Sequence, residues 1–171
     1  MTVLADLHQT TVRREDGTVN RIPIGADRAA ISPDMARLAL GTPGSASPSG
    51  PAPASLRIVE AATGIVLVER TVPAAYFDDL SFSVDGSRLL VASTVDLGGL
   101  TGRLQILDAS TLLPVGPVAS SPYPFSAAAY AQDGNSAITI DSGRLDRWDL
   151  NPASWKRIAC ELAGRSLTNA E

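Results

Sequence analysis

Few residues of this chain are of the types that do chemistry, and their placement favours none of the usual reactions. The one histidine, His8, lies in the polar run Asp6-Leu7-His8-Gln9-Thr10, and the one cysteine is Cys160. A nucleophilic triad needs a histidine base between nucleophile and carboxylate, and a thiol nucleophile needs a base of its own. His8 therefore reads as a surface histidine and Cys160, beside Ala159 in a helical stretch, as a buried structural thiol. Zinc sites draw on several Cys or His ligands, and the sequence offers no such set.

The carboxylates Asp78-Asp79, Asp85, Asp96, Asp133 and Asp141 read as turn residues, where Asp bonds to nearby backbone. Asp133-Gly134-Asn135 comes nearest to a calcium loop, but a calcium cage takes roughly six to eight oxygens. Gly98-Gly99-Leu100-Thr101-Gly102 has no lysine and no helix after it, as a phosphate loop would. Arg57, Arg103, Arg144 and Arg147 recur at third-strand positions and read as solvated strand faces. The expectation is a non-enzyme with no catalytic, cofactor-binding or metal residue and no cofactor.

Composition narrows the class. The chain has 171 residues, 44% apolar and 5% aromatic, so Ala, Val and Leu must supply a single-domain core. Its net charge is −4, and its longest basic run is Arg13-Arg14. Nucleic-acid binding rests on a phosphate-neutralising basic surface, so none is expected. No apolar run approaches the roughly 18 residues of a membrane helix, and Met1–Asp6 lacks the features of a secretory signal. A lone cysteine fits the cytoplasm.

The elements read as short strands. Asp16-Gly17 between residues 11–15 and 19–24 marks a hairpin, whose second strand ends near Pro23. Val3-Leu4-Ala5 is a further short strand. Two strands flank Ser32-Pro33-Asp34, and the Pro/Gly/Ser-rich stretch 41–55 reads as a flexible surface loop. Residues 56–60 and 65–69 form a hairpin. Leu80–Ser93 folds about Asp85-Gly86 and is followed by Arg103–Asp108, with Thr111–Val115 as the next strand. Residues 126–140 and 144–150 repeat that arrangement. Asn151-Pro152 opens a helix over 152–163, with Trp155, Ile158, Ala159 and Leu162 on one face and Gly164 as its cap. Thr168–Glu171 has capping-box spacing.

Periodicity ties these pieces together. The turn acids Asp34, Asp85 and Asp133 recur 51 and 48 residues apart, and the closing acids Glu60, Asp108 and Asp149 recur 48 and 41 apart. Ser32-Pro33-Asp34, Ser83-Val84-Asp85-Gly86 and Gln132-Asp133-Gly134 resemble the Ser-Pro-Asp-Gly turn of WD-repeat β-propeller blades. Arg147-Trp148-Asp149 resembles their closing Trp-Asp, with Ile106-Leu107-Asp108 and Ile58-Val59-Glu60 as degenerate versions. The tail from Trp148 through Trp155, Cys160 and Leu162 to Thr168 resembles that of propellers in actinobacterial STAND-type signalling ATPases, where it usually continues further. The family's Gly-His pair ahead of the first strand is absent, which leaves apolar packing to hold the blades.

The resemblance implies an all-β fold: about three to three and a half four-stranded antiparallel β-propeller blades, part of a larger ring, with a short C-terminal α-helix. The partial propeller spans 1–150, with units at about 1–24, 28–72, 78–118 and 125–150, and the helical tail spans 151–171. The last unit lacks a fourth strand. The implied role is a protein-interaction or regulatory module of a larger signalling protein, in the cytoplasm and away from nucleic acid and membrane. Its partner would be a protein or an adjacent domain of a longer polypeptide, with self-association through exposed blade edges. A propeller-type hydrolase or lyase, which needs clustered His or carboxylates at strand ends, and a non-functional remnant are the alternatives.

Overall fold

The structure, a computed structural model, describes residues 1–6, 8–47, 50–95, 101–116 and 118–163. It is built of antiparallel sheets and one helix. The first sheet is β1 (Thr2–Ala5), β2 (Thr10–Arg13) and β3 (Val19–Ile22). The second is β4 (Arg28–Ile31), β5 (Arg37–Thr42), β8 (Ala54–Glu60) and β9 (Val66–Val72), with β6 (Ser45–Ser47) and β7 (Gly50–Ala52) forming a hairpin between β5 and β8. The third is β10 (Tyr76–Phe82), β11 (Arg88–Thr94), β12 (Gly102–Asp108) and β13 (Ala119–Ser121). The fourth is β14 (Phe125–Tyr130), β15 (Ser136–Asp141) and β16 (Arg144–Asp149), followed by α1 (Pro152–Ala163).

The sheets lie face to face in chain order, with one apolar cluster at each joint. Val12 and Ile22 meet Leu38, Leu40 and Val59. Ala39, Leu56 and Ile58 meet Phe77, Leu89, Val91 and Leu107. Leu90, Ala92 and Leu104 meet Phe125, Ala128 and Ala137. A strand covered on both faces must be apolar throughout, whereas one covered on a single face alternates. Leu38-Ala39-Leu40-Gly41 of β5 and Leu89–Thr94 of β11 are accordingly buried without interruption, while β15 alternates. The opening strands lie closest together, β10 against both β4 and β14, and β1 against β4.

The sequence periodicity is realised as repeated hydrogen bonds. Each of three sheets carries one bond from the residue after the closing acid to the carbonyl two residues past the turn acid. These are Ala61 N–H to Ala36 O, Ala109 N–H to Ser87 O, and Leu150 N–H to Asn135 O, at 2.9, 2.9 and 2.7 Å. The register agrees, pairing Arg37 with Glu60, Arg88 with Asp108 and Ser136 with Asp149.

Three expectations need correction. Thr111–Val115 is not a strand: Leu112 takes a φ of 55°, and the run makes only the bridge from Leu107 to Pro114. The fourth strand of this sheet forms later, as β13, against Gly102–Leu104. Residues 41–55 are shorter as a loop than their composition implies, since β5 runs to Thr42, β8 starts at Ala54, and β6 pairs with β7 between them. Helix α1 starts as expected, with the Asn151 side chain accepting from Ala153 N–H at 3.0 Å. Its apolar stripe is not covered, however: Trp155 is 39% exposed and Leu162 85%. Cys160 on the same helix is half-buried rather than buried. Asp96, Leu97–Leu100, Gly164 and Thr168–Glu171 lie outside the described residues.

Candidate interaction surface

The turn acids are structural. Ser32 Oγ donates to Asp34 at 2.5 Å and Ser83 Oγ to Asp85 at 2.6 Å, and each hydroxyl also accepts the backbone N–H of Arg37 or Arg88. In the fourth sheet Ala131 occupies the serine position, and Ser136 supplies the hydroxyl to Asp133 instead, at 2.8 and 2.9 Å. Hydroxyl donors favour the charged carboxylate. They lower Asp34 and Asp133, and they hold Asp85 at about 2. Asp108 is held at about 2 by the hydroxyl and N–H of Ser110, followed by those of Thr111. Among the described residues no group of three His, Cys, Asp or Glu is arranged to hold a metal ion.

Asp78 and Asp79 are not turn residues, while Asp141 flanks the turn at Ser142-Gly143. Asp78 and Asp79 sit inside β10 at a bulge, where the register slips between Phe77 and Asp79. There they join sheets. Asp79 accepts Ala128 N–H at 2.9 Å and Ser81 accepts Tyr130 N–H at 3.3 Å, while Asp78 accepts the Thr94 hydroxyl at 3.1 Å and lies near the Phe125 backbone. Asp141, buried at the end of β15, accepts Ser121 Oγ at 2.6 Å. Asp27 stands at the position of Asp78 one sheet earlier, near the Phe77 backbone N–H, with its Oδ1 buried and without a hydrogen-bond partner. Nothing in the sequence marked Asp27, because its role comes from a strand about 50 residues away. Burial, the largest influence on each, raises both Asp27 and Asp78. Arg28 lies beside both, and its Nε donates to Asp78 O at 2.7 Å. A raised carboxylate pair can mark acid–base chemistry. Here both carboxylates stand at a joint between sheets, near the backbone of Phe77 and Phe125 of the next sheet.

The remaining singled-out residues fall on the surface. The His8 ring is exposed, and its backbone N–H donates to Asp6. Arg57, Arg103, Arg144 and Arg147 all lie on third strands, where Arg57 pairs with Glu69, Arg144 with Asp146 and Arg147 with Asp133. Gly102 opens β12, and a Cβ there would stand 2.2 Å from Tyr123 O, so its glycine serves close packing.

Exposed apolar side chains occur on every sheet, Ile65 and Leu67 of the second among them, and the fourth sheet adds an open edge and a groove. β16 is an edge strand with no neighbour among the described residues. The two-residue turn Ser142-Gly143, with φ of 41° and 80°, sets its register. Alternation along an antiparallel pair then turns the backbone of Leu145 and Arg147 away from β15. The Trp155 ring N–H closes the far end of that edge on Asp149 O at 2.7 Å. Beside it runs a groove of about 260 Å³ lined by Leu104, Val115, Val118, Trp148, Leu150 and Trp155. Trp148 is fixed by its ring N–H on Thr139 Oγ1 at 2.8 Å.

The outer face of the same sheet presents Ile138 and Ile140, each 37% exposed, and Leu145, 64% exposed. Their equivalents in the third sheet, Leu90, Ala92 and Leu104, are 0%, 0% and 5% exposed because the fourth sheet covers them. No helix among the described residues is long and apolar enough to cross a membrane. No family model matches the chain, and no curated protein matches it.

Proposed function

We propose that this chain is a non-catalytic interaction module of WD-repeat-like propeller blades, which works within a larger ring and presents apolar surface to a protein. The observation that carries this reading is the outer face of the fourth sheet, apolar at the positions that the second and third sheets bury against a neighbour. Exposed apolar surface of this kind marks association. The convergence of the opening strands on one side of the stack supports a radial arrangement. The groove beside β16 is the surface for a protein partner, since an edge strand offers backbone bonds and the groove offers room for apolar side chains.

Two experiments test this. An experimental structure should have the four sheets radiating from a common axis; sheets piled in parallel would overturn the propeller reading. Affinity capture from the source organism should recover a partner with the native chain and lose it with Val118→Asp, which charges the groove rim. A partner held equally by both would remove the groove from the binding surface.

A further inference from the structure

We propose that the cleft between the turn ends of the third and fourth sheets binds a backbone peptide group of a protein partner, with Arg88 donating to its carbonyl and Asp85 or Asn135 accepting its N–H. The site rests on these turn ends alone and owes nothing to the propeller reading or to the groove beside β16.

The joint between the second and third sheets shows what an arginine does at this place. Arg37 lies five residues past its turn serine, and the Ser32 hydroxyl accepts its backbone N–H. Its guanidinium stands 5.8 Å from the centroid of the Phe82 ring, and Nη2 donates to Gly86 O at 2.9 Å. The turn of the third sheet is thereby clasped to the second. Arg88 holds the same place one sheet later, with its backbone N–H on the Ser83 hydroxyl. Tyr130 and Gly134 stand where Phe82 and Gly86 stood.

The clasp is not repeated. Among the described residues the Arg88 guanidinium makes no hydrogen bond, ion pair or ring contact. The glycines register the difference. A Cβ on Gly86 would meet Arg37 Nη2 at 3.1 Å, whereas one on Gly134 would have nothing within 4 Å. The space left open is a cleft of about 550 Å³, and Val84, Asp85, Arg88, Asp133, Asn135 and Leu150 are among the residues that line it.

The lining selects the ligand. Arg88 brings guanidinium donors and no acceptor, so it calls for an acceptor. Asp85 Oδ2 accepts a single bond, from Ser87 Oγ at 2.8 Å, and Asn135 Oδ1 accepts none among the described residues. These two call for a donor. Asp133 is already engaged by Ser136 and Arg147. A free carboxylate would suit Arg88 but face the charge of Asp85, and an ammonium would suit Asp85 but face Arg88. A peptide group is neutral and carries one acceptor and one donor. Arg37 already holds that chemistry, since its partner is a backbone carbonyl. Val84, 56% exposed, and Leu150 offer apolar contact to the side chain beside the bound group.

An NMR titration tests the site. The probe is N-acetylleucine methylamide, which has peptide groups and one aliphatic side chain. It should shift the backbone amides of Asp85, Arg88, Gly134 and Asn135 in a saturable way, and the free acid N-acetylleucine should bind more weakly. Arg88→Met keeps the aliphatic stem and should weaken the methylamide about 3- to 10-fold, the worth of one net hydrogen bond. Asn135→Ala should weaken it as well, and it carries the test should Arg88→Met fail to melt like the native chain. Shifts that never saturate overturn the proposal, as does equal binding of the acid or undiminished binding to both variants. Saturable shifts at the Trp148 and Trp155 ring N–H groups with none in the cleft would sink this site and leave the groove reading standing.

Discussion

Gly41→Ala tests how tightly the second and third sheets are fitted. A Cβ at Gly41 would lie 2.6 Å from Cδ2 and 2.8 Å from Cγ of Phe77. Real Cβ contacts do not come that close, so the ring must move. Phe77 is 1% exposed and packed among Ala39, Leu56, Leu80 and Val91. Overpacking a core of this density costs about 1–3 kcal/mol, while replacing glycine within a strand returns about 0.5–1 kcal/mol. The net expectation is a loss of about 1–2 kcal/mol. For a chain of this size that lowers the melting temperature by roughly 3–8 °C. The assay is thermal and urea unfolding of the native chain, Gly41→Ala, Phe77→Leu and the double variant. Phe77→Leu should destabilise by leaving a cavity, and the alanine methyl should partly fill it, so the double variant should be more stable than the summed single effects. Strict additivity, or a Gly41→Ala chain that melts no lower than native, would refute the packing argument.

Other substitutions read other forces. Tyr130 holds the position that Phe82 holds one sheet earlier, but its hydroxyl is buried without a partner and burial pushes it up to about 12. Tyr130→Phe should therefore stabilise the chain by about 1 kcal/mol in urea unfolding, and a loss of stability would mean the hydroxyl has a partner. Gly134 has a φ of 67° and open space around it, so Gly134→Ala should lower stability by about 1 kcal/mol through backbone strain alone; no change would refute that. Asp78 is raised by burial, so its contribution is fully present below its ordinary value near 3.8 and fades as pH rises through the folded value. The native chain should thus lose stability relative to Asp78→Asn as pH climbs from about 4, and parallel pH profiles would count against a buried charge. Asp85 and Asp108, held at about 2, act with the opposite sign. Their contribution is present above the unfolded value and is lost as pH falls toward 2, which an acid titration of Asp85→Asn against native would register as a smaller loss in the variant.

The repeat was legible because its determinants are local. Asp-Gly at residues 85–86 and 133–134 fixes a turn within four residues, and the closing acids sit opposite in register, so both survive as sequence signals. Strand 111–115 was misread because the apolar run Leu112-Leu113-Pro114-Val115 has strand composition, while the local turn at Asp108, with Leu112 N–H on Asp108 O at 2.8 Å, decides its path. Asp78 and Asp79 looked like turn residues because paired acids seldom enter strands. What admits them is a bulge and the next sheet beside it, whose Ala128 N–H donates to Asp79, and a single sequence carries no sign of a neighbour nearly 50 residues on. The helix stripe shows the same gap from the other side: periodicity gives an apolar face, but coverage depends on what packs there.

The polar joints explain why the sheets follow one order rather than merely sharing apolar faces. Apolar contact is non-directional, and Val, Leu and Ala faces of similar size would tolerate several pairings. Backbone donors are not interchangeable in this way, because an N–H left unpaired in a joint costs about 1–3 kcal/mol. Ala128 N–H needs Asp79, and Tyr130 N–H needs Ser81. The opening strand β14 is therefore matched to the sheet before it, and Arg37, which reaches from the second sheet to Gly86 O at 2.9 Å, matches the third sheet in the same way at the turn end. Apolar area supplies the cohesion and buried acceptors supply the sequence of sheets.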